Sequence, residues 1–167
     1  HERLVGSEMC IRDRLYVEYY LSQSSYELAT WYLERNLENN NEITNYEKLY
    51  HKLANVFAKN ESWEQANYYY QKVGEKYTKT NFWYAITLIK LNFKNFDSRI
   101  VKIFQNYFIK YPKHQNTKAL GSYITYCLKN DKFKSASKYI INQIDKINSD
   151  INYGDYFISF LYQQQLR

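Results

Sequence analysis

The strongest constraint on the fold of this chain is a pattern of apolar side chains that recurs after 34 residues. In the clearest copy, two apolar faces with the spacing of amphipathic helices are separated by a polar break at 59–62. The first face consists of Tyr50, Leu53, Ala54 and Phe57, and the second of Trp63, Ala66, Tyr70 and Val73. Since one helix pair cannot bury its own apolar stripe, the recurrence predicts an all-α fold, an α-solenoid of antiparallel helix pairs.

The next copy follows directly. A shift of 34 residues takes Tyr70 to Phe104 and places Pro112, the only proline, where a second helix must end. The same shift takes Phe57 to Leu91 and predicts a core position there. These matches predict that the second copy repeats both helices of the first.

The copies divide residues 15–167 into one helical repeat domain. We predict helix pairs near 47–80, 81–114 and 117–150, with partial pairs at 15–38 and 151–167. The second helix of the third pair is carried by Phe133, Ala136 and Ile140. The longest polar stretch, 36–45, is expected to be a loop that ends in a Thr44 or Asn45 helix cap.

The composition supports a helical chain. There are 20 tyrosines, 9 phenylalanines and 3 tryptophans, but only 4 glycines and 1 proline. The aromatic content excludes a disordered chain, and the shortage of turn residues argues against an all-β sandwich. No run of about 18 apolar residues occurs, so we expect no membrane insertion. The formal net charge of +6 is mild for a chain of this length.

The first residues have a separate origin in our interpretation. Leu4 to Arg14 reads LVGSEMCIRDR, which is similar to the in-frame translation of a transposase adapter used in preparing sequencing libraries. Residues 1–14 are therefore interpreted as an adapter-derived artefact. Cys127 is then the one remaining thiol, so no intrachain disulfide is expected. We expect the natural ends to lie outside this sequence, which leaves the cytoplasm and the periplasm both open.

Groups that could carry catalysis are scattered along the chain. His51 and His114 fall in different copies, and neither has a Cys or a second His at ligand spacing, so no metal is expected. Glu47 precedes His51 by four residues, a spacing typical of a solvated contact on a helix. Cys127 falls at a core-facing position, where a thiol packs and does not react. We predict a protein that is not an enzyme and has no cofactor.

In the order of its anchors the chain resembles the tetratricopeptide repeat family. The family's first helix carries a large aromatic residue, then Leu and a small residue, then Tyr; its second carries Ala and, four residues on, Phe. The matching residues are Tyr50, Leu53, Ala54, Phe57, Ala66 and Tyr70, and in the next copy Tyr84, Leu91, Phe104 and Pro112. Thr87, Leu88 and Ile100 depart from the family pattern, since they are larger than the usual residues. The resemblance implies a superhelix whose first helices line a concave binding face.

The predicted binding residues are the first-helix positions outside the core stripe. They are Lys48, His51, Asn55 and Lys59 in the first clear copy, Phe82, Ile89, Asn92 and Phe93 in the next, and Lys118, Thr125 and Lys129 in the third. The set has four lysines, an apolar middle and no acidic residue. It suits an extended peptide or partner helix with an acidic or carboxylate end. We therefore predict a noncatalytic protein–protein interaction scaffold.

Two other functions stay open. The segment 123–140 resembles the helix-turn-helix phrasing of RNA-binding pentatricopeptide proteins, and a basic balance suits phosphates. The mild charge and the 34-residue interval argue against nucleic acid as the partner. The segment 104–112 resembles periplasmic tetratricopeptide assembly factors, which gives a third interpretation, the repeat arm of a larger envelope-assembly protein or enzyme.

Overall fold

The computed structural model describes residues 6–39, 46–92, 95–112 and 116–132, with side chains for 12–35, 46–92, 95–112, 116 and 118–132. These residues form eight α-helices and no strand, which confirms the predicted all-α class. In chain order the helices are α1 (Gly6–Ser22), α2 (Tyr26–Asn39), α3 (Glu47–Lys59), α4 (Trp63–Tyr70), α5 (Glu75–Thr78), α6 (Phe82–Leu91), α7 (Ser98–Lys110) and α8 (Thr117–Lys129). The second helix predicted for the third pair, with Phe133, Ala136 and Ile140, lies outside the described residues, as does the partial pair at 151–167.

The chain divides into two compact units, His1–Thr78 (unit 1) and Lys79–Arg167 (unit 2). In unit 1, α1 packs against α2, and α3 packs against α4, so two helical hairpins follow one another in chain order. Glu18 of α1 pairs with Lys52 of α3 at 3.6 Å. The Tyr69 hydroxyl of α4 donates a hydrogen bond of 3.1 Å to Oε1 of Glu34 on α2. First helix therefore lies beside first helix in this unit, and second beside second.

The core of unit 1 is built from the apolar faces of both hairpins. The aromatic ring of Phe57 stacks on that of Tyr69, with 5.6 Å between centroids and 4° between planes. Tyr50 stacks on the same Tyr69 ring at 5.8 Å. The buried apolar residues are Val17, Ala29, Leu33, Tyr46, Leu49, Tyr50, Leu53, Ala54, Ala58, Ala66, Tyr69, Tyr70 and Val73. The small residues Ala54, Ala58 and Ala66 let the helices approach closely, because they add little volume between the rings.

One turn geometry occurs three times at the C-termini of the described helices. Ser24 after α1, Glu61 after α3 and Asp131 after α8 have φ of 58°, 62° and 60°, in the left-handed region. In each turn the next residue's amide donates, at 2.9 Å, to the carbonyl oxygen four residues before the left-handed residue. This bond is the Schellman closure of a helix C-terminus. It ends one helix and, at Ser24 and Glu61, lets the next begin after one further residue.

In unit 2, α6 and α7 pack against each other, and α8 packs against both. The Phe82 ring of α6 meets the Tyr107 ring of α7 edge-on at 4.9 Å, and Phe104 of α7 lies 5.6 Å from Tyr123 of α8. The buried apolar residues of this unit are Phe82, Tyr84, Ala85, Ile86, Leu88, Ile100, Val101, Ile103, Phe104, Tyr107, Ala119, Leu120, Tyr123, Ile124, Tyr126 and Cys127. Large aromatic rings thus join all three helices.

Side-chain caps begin the helices of unit 2. The Asn81 side chain accepts hydrogen bonds from the amides of Trp83 and Tyr84, at 2.9 and 3.3 Å. Asp97 accepts one from the Arg99 amide at 2.9 Å. Asn116 accepts one from the Ala119 amide at 3.1 Å. Each bond satisfies a backbone donor that the first turn of a helix leaves without an intrahelical partner.

Four details of the sequence analysis meet a definite outcome. Leu91 was expected in the core but is 38% exposed, because it is the last residue of α6 and the core ends one turn earlier. The expected loop at 36–45 is helical at its start, since α2 runs to Asn39. The N-cap of α3 is Tyr46, not Thr44 or Asn45. Helix α7 ends two residues before Pro112, as expected.

None of the described helices is both long enough and apolar enough to cross a bilayer.

Candidate protein-binding surfaces

The predicted stripe on α3 is exposed at its two ends and engaged in its middle. Lys48 and Lys59 are exposed, whereas His51 and Asn55 are half-buried. The Tyr70 hydroxyl donates a hydrogen bond of 2.6 Å to Oδ1 of Asn55. The His51 ring lies 5.2 Å from the ring of Tyr77. The histidine and the asparagine therefore help to position the aromatic rings that follow α3, and the lysines are the groups that face solvent.

On α6 the predicted residues range from buried to exposed. Phe82 is buried against Tyr107, Ile89 is half-buried, and Asn92 is exposed at the C-cap of the helix. Phe93 lies outside the described residues. Phe82 therefore contributes to the core of unit 2, and Ile89 offers the apolar surface of this set.

On α8 the predicted residues Lys118, Thr125 and Lys129 are all exposed. The ammonium nitrogen of Lys118 lies 5.2 Å from the centroid of the Trp83 ring on α6. This distance is within the range of a cation–π interaction. The structure thus brings the first predicted lysine of α8 to the N-terminal end of α6.

A surface that the sequence analysis missed lies in unit 1, between α2 and α4. It is a groove of about 700 Å³, and we call it the acidic aromatic groove. Its lining residues are Tyr26, Glu27, Thr30, Trp31, Glu34, Phe57, Glu64, Gln65, Tyr68 and Tyr69. Tyr69 is buried, whereas Trp31 and Tyr68 are 49% and 50% exposed. The exposed rings of Trp31 and Tyr68 therefore line the same groove as the buried ring of Tyr69.

The charge of this groove is opposite in sign to that of the chain. Glu27, Glu34 and Glu64 line it and are exposed. Among the described residues that form its lining, none is a lysine or an arginine. The whole chain, in contrast, has a formal net charge of +6. The charged residues of the groove lining are therefore all acidic, although the chain as a whole is basic.

The exposed rings of the groove already hold cations of the chain itself. The guanidinium carbon of Arg35 lies 4.9 Å from the centroid of the Trp31 ring. The ammonium nitrogen of Lys72 lies 4.7 Å from the centroid of the Tyr68 ring. In both pairs the cation follows the ring by four residues. These contacts show that each ring interacts with one positive group of the chain at cation–π distance.

One carboxylate of the groove is held in place by a buried phenol. Burial raises the pKa of Tyr69 well above its ordinary value, so its hydroxyl keeps its proton. That hydroxyl donates to Oε1 of Glu34 at 3.1 Å. A carboxylate has further acceptor sites on both oxygens. Glu34 is thus oriented from inside the unit and still able to accept a hydrogen bond from solvent or a ligand.

The thiol of Cys127 lies in a setting that keeps it unreactive. Cys127 is fully buried, and burial raises the pKa of its thiol to about 11, which keeps it protonated at neutral pH. Among the described residues, no group of three or more His, Cys, Asp or Glu side chains is arranged to hold a metal ion.

No protein-family model, curated protein or solved structure matches this chain. The sequence did contain a signal for the groove, because Trp31 and Tyr68 are aromatic residues outside the core stripe. Glu27, Glu34 and Glu64 accompany them on the same two helices.

Proposed function

We propose that this chain is a noncatalytic protein-interaction scaffold, a tetratricopeptide-like solenoid that binds an extended peptide or partner helix on the face of its first helices. The order of the hairpins in unit 1 supports the solenoid, since α1 lies against α3 and α2 is bonded to α4 through Tyr69 and Glu34. In unit 2, α8 packs against both helices of the preceding hairpin, as the first helix of a following pair would. The turn shared by Ser24, Glu61 and Asp131 also fits a repeated hairpin.

The observation that carries the binding proposal is the exposure of four lysines on first helices. Lys48 and Lys59 lie on α3, and Lys118 and Lys129 lie on α8. An ammonium group on a flexible stem can meet a carboxylate in several orientations, and it speeds association with an acidic partner. Each exposed ion pair contributes only about 0–1 kcal/mol, so the lysines must act together with an apolar contact. In unit 2, which also carries Lys118 and Lys129, the half-buried Ile89 of α6 offers such a contact.

The test uses a short fluorescein-labelled peptide with acidic side chains, one leucine and a free C-terminal carboxylate. We expect the double variant Lys59→Glu with Lys118→Glu to weaken binding by about tenfold or more in fluorescence anisotropy, because two attractions become repulsions. The matched control is Lys102→Glu with Lys110→Glu, which changes the net charge equally on α7, where both lysines are exposed. Equal losses in the two double variants would contradict the proposed face.

A salt titration separates this proposal from RNA binding. Peptide binding with an apolar anchor should weaken modestly between low and physiological salt. Binding to a single-stranded RNA should instead fall steeply, since each neutralised phosphate releases counterions. A labelled RNA that binds more tightly than the acidic peptide at physiological salt would favour the pentatricopeptide-like alternative.

A further inference from the structure

We propose that the acidic aromatic groove of unit 1 binds an arginine or lysine side chain presented by a short segment of another protein. This site is separate from the surface of Lys48, Lys59, Lys118 and Lys129 proposed above, which we call the lysine face, and it has the opposite charge. Its partner is therefore a basic peptide, where the lysine face takes an acidic one.

The first argument is charge complementarity. Glu27, Glu34 and Glu64 belong to two helices that are distant in sequence, and the fold of unit 1 brings them to one groove. Like charges gathered at one exposed site repel one another, and a cation between them removes that repulsion. The chain as a whole has a net charge of +6, which favours acidic partners. The carboxylates of the groove disfavour those same partners at this site.

The second argument is the chemistry of the rings. Trp31 and Tyr68 are each about half exposed, at 49% and 50%, and both line the groove. Aromatic faces beside carboxylates bind cations by combining the ring quadrupole with direct charge attraction. Arg35 and Lys72 lie over these two rings at 4.9 and 4.7 Å, so both rings already meet a cation at cation–π distance within the folded chain. A guanidinium suits the site well, since its planar fork can stack on a ring and donate to a carboxylate at once.

The third argument is pre-organisation. The Glu34 carboxylate is oriented by the Tyr69 hydroxyl, and Tyr69 itself is stacked on Phe57 at 5.6 Å. A ligand therefore meets an acceptor whose position is set before binding, which lowers the entropic cost of association. The volume of about 700 Å³ lies within the range of pockets that bind small ligands. It accommodates one long side chain with its flanking backbone and is too small for a folded domain.

The test compares two labelled peptides by fluorescence anisotropy on the full chain. One alternates arginine with alanine, and the other has citrulline in place of each arginine, which keeps the shape and removes the charge. We expect the citrulline peptide to bind at least about tenfold more weakly. Equal binding of the two peptides would overturn the proposal, because the site would then recognise shape without charge.

Variants locate the binding on the chain. Glu34→Gln with Glu64→Gln should weaken the arginine peptide by about tenfold or more, whereas the matched pair Glu61→Gln with Glu75→Gln, outside the groove, should change it by about twofold at most. Trp31→Leu should also weaken it severalfold, and circular dichroism checks that the exposed substitution leaves the helices intact. Equal losses in the groove pair and the control pair would overturn the proposal.

The same variants separate this site from the lysine face. Loss of acidic-peptide binding in Lys59→Glu with Lys118→Glu, with arginine-peptide binding retained, supports two distinct surfaces. If the arginine peptide binds and the acidic peptide does not, the proposed function is contradicted and the proposal for the groove is supported. Self-association that the groove pair abolishes in sedimentation velocity, without any binding of the arginine peptide, would assign the groove to a second copy and overturn the proposal.

Discussion

Unit 1 and unit 2 are both built from helical hairpins, but they begin their helices in different ways. In unit 2, Asn81, Asp97 and Asn116 each bond a backbone amide of the helix that follows. In unit 1, the N-cap residues described for α3 and α4, Tyr46 and Ser62, make no side-chain cap bond. Helix starts in unit 2 are therefore fixed locally by polar side chains, whereas those of α3 and α4 depend on turn geometry and packing.

The units also differ in the charged groups that lie beside aromatic rings near the surface. Unit 1 leaves Trp31 and Tyr68 about half exposed along a groove with three carboxylates. In unit 2 the ammonium nitrogen of Lys118, on α8, lies 5.2 Å from the ring centroid of the half-buried Trp83. Trp31 and Tyr68 also have internal cations, Arg35 and Lys72, so the two surfaces differ in the carboxylates that lie beside the rings. This contrast is the reason to assign different partners to the two surfaces.

The largest expected effect tests packing in unit 1. Ala66 is fully buried in α4, the helix that packs against α3. Ala66→Trp should lower the free energy of unfolding by about 1–3 kcal/mol, because the core has no room for an indole. Urea denaturation followed by circular dichroism measures it. Lys52→Trp, at an exposed position of α3, is the control and should cost about 1 kcal/mol or less. Equal midpoints for Ala66→Trp and the parent would contradict the assigned packing.

The next effect tests the difference in capping directly. Asn81→Ala should destabilise α6 by about 1 kcal/mol, since two amides lose their acceptor. Ser62→Ala, at the equivalent position of α4, should change stability by a few tenths of a kcal/mol, since no cap bond is lost. Amide hydrogen exchange in the first turn of each helix reads the two effects separately. A larger loss for Ser62→Ala would reverse the comparison between the units.

A smaller effect concerns the shared turn. Glu61→Gly should stabilise the chain by about 0.5–1 kcal/mol, because glycine adopts the left-handed conformation without the steric cost of a Cβ atom. Asp131→Gly should give less, because aspartate tolerates this conformation better than glutamate. Thermal melts of both variants provide the measurement. Destabilisation by Glu61→Gly would mean that its side chain contributes more than its backbone strain costs.

The last prediction concerns a loss of stability that occurs only at alkaline pH. Burial raises the pKa of Cys127 to about 11, so the folded chain keeps the thiol proton at a pH where the unfolded chain loses it. Stability from this group is present below the ordinary thiol pKa and falls as the pH rises through about 11. In a Cys10→Ser background, iodoacetamide should alkylate Cys127 slowly in the folded state and rapidly in urea. Rapid alkylation of the folded chain at neutral pH would contradict the burial.

The sequence was sufficient to predict most of the core. Ala54, Ala66 and Tyr70 were placed on apolar stripes by helical spacing alone, and all three are buried. Spacing works here because a helix has a fixed period, so one face is determined once two anchors are known. The prediction for Leu91 was wrong, since spacing does not tell where a helix stops contributing to the core.

The groove could not be predicted in the same way. Its lining comes from α2, α3 and α4, and their convergence depends on how two hairpins pack. Trp31 and Tyr68 lie outside the apolar stripes, so a search for core positions passes over them. The engagement of Asn55 by Tyr70 was also hidden, because it joins residues that are 15 positions apart.

The turn at Ser24, Glu61 and Asp131 bears on how such a chain can evolve. Its shape is maintained by main-chain hydrogen bonds, and a serine, a glutamate and an aspartate occupy the same left-handed position. Because main-chain bonds close the turn, its left-handed position accommodates three different side chains. Substitutions at such a position can therefore change the sequence and preserve the backbone geometry of the turn.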